Sequence, residues 1–284
     1  TVRISLKILE YMSIDNWHKM DARVVIKLGG GLITQKDSMR TFDAESMEAV
    51  SIAISKLSGL GASIVLVHGA GSFGHILAKE WSIVDGLVPD IASSQREAVQ
   101  KIRSDMKDLN AFVVSSLEDM GLECESHPPS EWVTGTGRDF NGNLARFNRM
   151  SDKPIPITFG DVVNMEDGSE FGILSGDDLM LRLSKELPEV THSIFLMADA
   201  QGIMDRPPNE RGARLLPTWG PSMDFMSEHK SEIDVTGGIL LKIKRAGEIS
   251  ESVEQVWILD GREPERIIEL VQTGETLGTK ILPG

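Results

Sequence analysis

An α/β fold with a mostly parallel central sheet is what this sequence predicts, and three observations carry the prediction. Short runs of strand length recur that are apolar on both faces. Segments with apolar residues at helical spacing alternate with them. No internal repeat and no low-complexity linker breaks the alternation. Strands that are apolar on both faces need cover on both faces, which is the situation of a parallel sheet between helices.

Taken in order, residues 1–22 read as an extension in which Ile4, Leu6, Ile8 and Leu9 allow a short strand or helix but no chemistry. The first strong strand is Val24-Val25-Ile26-Lys27-Leu28, which runs into Gly29-Gly30-Gly31. Residues 43–60 follow as a helix, with Met47, Val50, Ile54 and Leu57 on one face, Asp43 placed to cap the start, and Gly59 and Gly61 at the end. A second strand, Ile64-Val65-Leu66-Val67, runs into His68-Gly69-Ala70-Gly71-Ser72-Phe73-Gly74-His75. Residues 91–120 read as one long helix or a broken pair. Pro128-Pro129 and the region of Gly135, Gly137 and Gly142 read as loops. Further strands are predicted at 155–159, 171–174, 193–197 and 256–259, with a hairpin turn at Glu166-Asp167-Gly168. Helical patterns cover 178–187, 238–249 and 263–271.

Length and composition limit what the molecule does. A chain of 284 residues, 40% of them hydrophobic, fits one large α/β domain or two small ones. No stretch approaches the roughly 20 apolar residues of a membrane helix. Glu10, Asp15 and Asn16 interrupt any signal-peptide pattern in the first 21 residues. The single cysteine, Cys124, excludes an internal disulfide and points to a reducing, cytoplasmic setting. The formal net charge is -14, from 29 basic and 43 acidic residues. Such a body repels nucleic acid and anionic lipid, so neither nucleic acid nor a membrane is an expected partner. An anionic ligand would need positive charge concentrated at one place.

The glycine loops offer such a place. Ligands of a parallel sheet bind beyond the carboxyl ends of its strands. Glycine lets the backbone approach a ligand closely, and the helix that follows supplies unpaired N–H groups and a positive dipole end for phosphate. Two such loops side by side suit a donor and an acceptor phosphate. Neither matches G-x-x-x-x-G-K-[ST]. Gly69-x-Gly71-x-x-Gly74 has the spacing of a dinucleotide fingerprint, but no acidic residue ends a strand about 20 residues later to hold a ribose.

The lysines sharpen the picture. Lys27 lies inside an apolar strand, where an ammonium is costly without an anionic partner. It is either a snorkelling or ion-paired structural lysine or a phosphate contact, and the adjoining glycine loop favours phosphate. Lys242 lies one turn inside the helix opened by Thr236-Gly237-Gly238, on the face of Gly238. Lys36 follows the first loop and alone would be an ordinary surface lysine. Asp177, at the strand-to-helix junction Ser175-Gly176-Asp177, is a helix N-cap or a functional carboxylate, and spacing does not separate the two; Asp178 would be a helix-start charge.

Five motifs occur in one order: Ile26-Lys27-Leu28-Gly29-Gly30, the octapeptide His68 through His75, Phe159-Gly160-Asp161-Val162-Val163, Ser175-Gly176-Asp177, and Asp234-Val235-Thr236-Gly237-Gly238 through Lys242. Together they resemble the isopentenyl phosphate kinases of the amino acid kinase superfamily, from about Arg23 to Ile281, with the octapeptide the most specific piece. The resemblance implies a three-layer α/β/α sandwich as a single domain over 23–284, often a homodimer, whose amino-terminal half takes the acceptor and whose carboxyl-terminal half takes ATP and Mg²⁺. It implies that Lys27 and Lys242 hold the donor phosphates, that Asp177 organises the two lysines, and that Lys36 neutralises phosphate charge. Gly30 and Gly71 would donate N–H groups to the transferring group, with Gly29, Gly237 and Gly238 on the nucleotide-phosphate side and Gly69, Ala70 and Gly74 around the acceptor. Gly160 would lie near the acceptor phosphate and Asp199 on the nucleotide side. His75 would bind the acceptor phosphate, whereas its residue-level alternative is an exposed histidine at a helix start. The chain departs from the family at Gly31, where serine is usual, at Gln201 and at Met204.

The implied reaction is ATP-dependent phosphorylation of isopentenyl phosphate, a small prenyl phosphate. Its neighbours are a kinase of the phosphonate fosfomycin, a carboxylate kinase of the acetylglutamate type, in which His75 would have no evident task, and a non-catalytic nucleotide-binding protein, which would have lost Lys27, Lys242 or Asp177. A prenyl tail would need a dry pocket behind His75. Ile76, Leu77, Trp81, Val84, Val99, Ile102, Met106, Ile157 and Ile173 are candidates for its wall, though each alone reads as ordinary core.

Overall fold

The computed structural model describes residues 22–35, 38–151, 153–221 and 238–284. Most of the predicted extension, Lys36 and Gly237 therefore lie outside the described residues. The first strand, β1 (Arg23–Leu28), is buried along its whole length and sits inside an eight-stranded sheet. A short helix, α1 (Gly30–Ile33), leads to α2 (Ala44–Gly59), whose start is capped as predicted, since the Asp43 carboxylate accepts from Ser46 N at 3.0 Å. Next come β2 (Ser63–His68), α3 (Gly71–Glu80) and α4 (Ala92–Glu118), the last being one unbroken helix. The amino-terminal side continues with β3 (Cys124–Ser126), β4 (Val133–Thr134), β5 (Asn141–Gly142), β6 (Ile155–Phe159), β7 (Asp161–Asn164) and β8 (Phe171–Leu174). The rest comprises α5 (Gly176–Glu186), β9 (Val190–Met197), β10 (Thr218–Trp219), α6 (Gly238–Ser250), β11 (Gln255–Asp260), α7 (Glu265–Thr273) and β12 (Thr279–Ile281).

The large sheet has the order β10-β12-β11-β9-β1-β2-β6-β3 and is parallel except between β11 and β12. From β1 the chain builds outward through β2 and β6 on one side and later through β9 and β11 on the other. The strand order thus reverses at β1, and the crevice beyond its carboxyl end is where a doubly wound sheet holds ligands. Helices cover both faces, as the three-layer expectation requires. Val24, Ile26 and Leu28 belong to a core shared with α2, α4 and α7, while Val25, Val65 and Val67 belong to a second core shared with α5 and α6.

Of the second sheet, β5-β4-β7-β8, the sequence showed β8 and the hairpin leading into it but not β4 and β5. The region of Gly135 and Gly142 read as loop, yet β4 pairs with β5 and with β7. Strands of two residues carry no alternation, so only their distant partners define them. The predicted hairpin joins β7 to β8, with the Asp167 carboxylate accepting from Ser169 N at 2.9 Å.

Candidate active site

Alternation along β1 decides where Lys27 points. Val24, Ile26 and Leu28 face α2 and α4, so Lys27 shares the face of Val25, toward α5. There it meets Asp177 in the first turn of α5, with Nζ 2.5 Å from Oδ1. Lys242, from the second turn of α6, reaches the same oxygen at 3.5 Å and lies 5.8 Å from the centre of the Phe195 ring. Gly176 makes room for this meeting, because a Cβ there would lie 3.1 Å from Lys27 Cε. The cap of α5 is Ser175, whose hydroxyl accepts from Asp177 N at 3.1 Å. The Asp177 carboxylate is therefore not the cap of α5, and both lysines engage it.

The electrostatics of this cluster are unbalanced. Lys27 and Asp177 are 6% and 3% exposed, and one carboxylate faces two ammonium groups. Burial pushes Lys27 down to about 8, against the pull of Asp177 and with help from Lys242. Burial works against ionisation of Asp177, but the two lysines outweigh it and hold its pKa below the usual carboxylate value. Buried positive charge in excess of its partner is costly and is relieved by an anion. The neighbouring Asp178 does not supply the missing charge, since Arg245 Nε occupies it at 2.7 Å. Arg245 in turn pairs with Glu248 at 2.7 Å, and Glu248 with Arg138 at 3.0 Å.

The glycine loops meet this cluster from β1 and β2. Gly29 N donates to Leu196 O at 3.0 Å, Gly69 N to Leu28 O at 2.9 Å and Gly160 N to His68 O at 3.0 Å. These three amides extend the sheet and are spent, so Gly29, Gly69 and Gly160 permit close approach rather than donate to an anion. A Cβ on Gly29 would lie 2.7 Å from Leu196 O, and one on Gly160 3.2 Å from Gly176 N. Among the described residues no backbone acceptor engages the amides of Gly30, Ala70 or Gly71. Gly74 has a packing task, because a Cβ there would lie 2.8 Å from the Ala70 methyl and 3.2 Å from Met106 Sδ.

His75 is exposed on the first turns of α3. Although its ring reaches the open surface, surrounding protein desolvates it, and with the nearby Lys27 charge this lowers its pKa below the usual histidine value. The structure thus brings His75 within the field of Lys27, and both burial and that charge favour the neutral imidazole. Asp199, exposed after the end of β9, adds its charge to the surroundings of Arg262 on the far side of β1. Gly238 opens α6, and among the described residues no atom lies within 4 Å of a Cβ built there. Sequence reasoning passed over Arg245, one charge among several along α6, and quoted Gly176 only as part of the Ser175-Gly176-Asp177 junction.

Of the residues proposed as a pocket wall, Val99, Ile102, Met106 and Ile157 are core at 3% exposure or less, and Val84 stands open at 74%. A cleft of about 380 Å³ does lie between α3 and α4, lined by Leu77, Trp81, Ala98, Ser94, Glu97 and Lys101. It retains Leu77 and Trp81 from the proposed wall and has a charged rim. Among the described residues no helix is long and apolar enough to cross a membrane.

Comparison with known proteins agrees with the geometry. The model of the amino acid kinase family matches residues 22–260. The isopentenyl phosphate kinase of Thermoplasma acidophilum is 32% identical over 86% of this chain and 94% of its own length. That of Methanothermobacter thermautotrophicus is 29% identical over 91% of this chain and 98% of its own. A solved isopentenyl phosphate kinase superposes with a TM-score of 0.74 at 27% identity, covering 91% of this chain and 99% of that one. A parallel sheet reversing at β1, glycine loops at its switch point and a family match over most of the length lead to one conclusion: the chain belongs to the amino acid kinase family and groups within it with the isopentenyl phosphate kinases.

Proposed function

We propose that this protein transfers the γ-phosphoryl group of ATP to the phosphate of isopentenyl phosphate, giving isopentenyl diphosphate and ADP. The observation that carries the reading is the buried Lys27–Asp177–Lys242 cluster, two cations on one carboxylate beside two glycine loops. An oxygen of the acceptor phosphate forms the new bond to the γ-phosphorus while the bond to the ADP oxygen breaks. That oxygen is anionic at neutral pH, so no general base is needed, and the protein's work is alignment and neutralisation of charge.

Lys27 and Lys242 would bind the donor phosphates, with Asp177 holding the lysines apart and aimed. The amides of Gly30 and Gly71 would meet the transferring group. Neutral His75 would donate one N–H to the acceptor phosphate. Lys36, Gly237 and Asp199 would serve the donor side as part of the same reading. Among the described residues no cluster of His, Cys, Asp or Glu could hold a metal, and Asp177 is taken by the lysines. Mg²⁺ would accordingly arrive on the nucleotide phosphates, as it commonly does, and would supply charge neutralisation there. The cytoplasmic setting belongs to the reading through the single cysteine, Cys124, which can form no internal disulfide. The homodimer belongs to the reading through the family alone.

A coupled ADP-release assay with isopentenyl phosphate, dimethylallyl phosphate, fosfomycin and acetylglutamate tests the assignment. The highest kcat/KM is expected for one of the two five-carbon prenyl phosphates. A clear preference for fosfomycin would reject the prenyl acceptor and leave the transfer site standing. Absence of turnover with all four would reject the kinase.

A further inference from the structure

The donor and acceptor loops leave adjacent strands and touch backbone to backbone. A Cβ on Gly69 would lie 2.6 Å from Gly30 N, and one on Gly30 would overlap Gly71 N. Gly71 itself has φ +48, in the left-handed region that glycine tolerates. Contact between glycine loops does not by itself fix their spacing, because glycine restricts the backbone least. One side chain does join them. Thr34, at the end of α1 and 2% exposed, donates its hydroxyl to Gly30 O at 2.8 Å and accepts from Ser72 N at 3.0 Å.

The roles in this bridge are forced. A carbonyl only accepts and an amide only donates, so the hydroxyl proton goes to Gly30 and a lone pair to Ser72. The threonine also fills the space beneath Gly71, where a Cβ would overlap its hydroxyl and lie 2.8 Å from its methyl. The bridge uses up the Ser72 amide and engages the Gly30 carbonyl. Two of the three amides with no backbone acceptor among the described residues, those of Gly30 and Gly71, are thereby held against each other as a pair.

We propose that Thr34 is a positioning residue which fixes the separation of the donor and acceptor phosphate loops without touching either phosphate. This rests on the phosphoryl-transfer reading above. A residue of this kind affects the approach of two bound groups rather than the binding of each. Misplacement by about 1 Å can cost roughly 10²-fold in rate.

The test compares Thr34→Val, which keeps the shape and loses both hydrogen bonds, with Thr34→Ser, which keeps the hydroxyl. Steady-state kinetics with ATP and isopentenyl phosphate are read per folded enzyme, with the Tm of each variant. The valine variant is expected to lose roughly 10–100-fold in kcat while both KM values stay within about threefold, and serine is expected to restore kcat to within about threefold of wild type. A hydroxyl with only a structural role would lower Tm and leave kcat per folded molecule unchanged, and that outcome overturns the proposal. Equal damage by serine and valine overturns it too. If the valine variant does not fold, Thr34→Ala, which adds no atom, takes its place under the same criteria. Wild-type enzyme that releases no ADP with isopentenyl phosphate rejects the underlying reading first, a result distinct from normal turnover by the valine variant.

Discussion

The two sides of the cleft are built from different materials. On the side of α1 and α3 the chemistry is backbone: glycine amides pressed so closely that a Cβ on Gly29 or Gly69 would stand within 2.7 Å of another main-chain atom. On the side of α5 and α6 it is side chain: Lys27, Asp177 and Lys242, with Asp178 and Arg245 paired behind them. The backbone side should be intolerant of size and indifferent to charge. The side-chain side should be intolerant of charge change, and in an asymmetric way, because its cations outnumber its carboxylate.

The asymmetry gives the largest expected effects. Asp177→Asn leaves the buried Lys27 ammonium facing the partly buried one of Lys242. It should lower kcat by about 10²–10³-fold and also destabilise the fold by about 3–5 kcal/mol, since an uncompensated buried charge remains. Lys27→Met should lower kcat by about the same factor yet leave Tm unchanged or raised, because Asp177 keeps Lys242 and the cluster becomes neutral. Thermal melts beside kinetics separate the two variants. A Lys27→Met enzyme as unstable as Asp177→Asn would show that the lysine is structural.

His75 is a side chain standing on the backbone side, and it tests whether the division is complete. His75→Ala should lower kcat/KM for the acceptor by roughly 10–100-fold, the worth of one hydrogen bond to a charged group, while leaving KM for ATP unchanged. His75→Gln should recover part of the loss through its amide N–H. Normal turnover by the alanine variant would make the histidine an exposed helix residue and nothing more.

A smaller effect is expected from pH. Lys27 must carry its proton to neutralise phosphate, and burial has brought its pKa down to about 8. Activity is therefore present below that value and is lost as pH rises through it. In the free enzyme, kcat/KM should fall up to about tenfold per unit above pH 8. Arginine does not deprotonate in this range, so the limb should vanish in Lys27→Arg if that variant keeps measurable activity. A profile flat to pH 10 would mean that Lys27 is not required in its charged form.

The smallest effects distinguish one glycine from another. Gly30→Ala drives a methyl into the Gly71 backbone, which cannot yield as a side-chain tip can, and should cost about 1–3 kcal/mol. Gly168→Ala, where no atom of the described residues lies within 4 Å, should stay within about 0.5 kcal/mol of wild type. Denaturant unfolding of both variants measures the difference. Equal stability would show that the loops relax apart and that their contact is not a constraint.

Much of this arrangement was written locally in the chain. Continuous apolar runs such as Val24 to Leu28 marked the buried strands, helical spacing marked α2 and α4, and Asp43 marked a helix start, because each depends on neighbours within a few residues. Lys27 announced itself as a charge at a position that burial forbids. Tertiary structure alone decided the partners. Ser175 took the cap of α5 and released Asp177 to two lysines, one 150 positions earlier and the other 65 later. Arg245 found Asp178 across 67 positions, Thr34 found Ser72 across 38, and the short strands β4 and β5 existed only through pairing. The physical reason is that periodicity records which face of an element is buried and loop composition records where the chain turns, but neither records which distant polar group completes a buried one. That choice is made when the helices dock on the sheet and every charge taken out of water must find its counterpart.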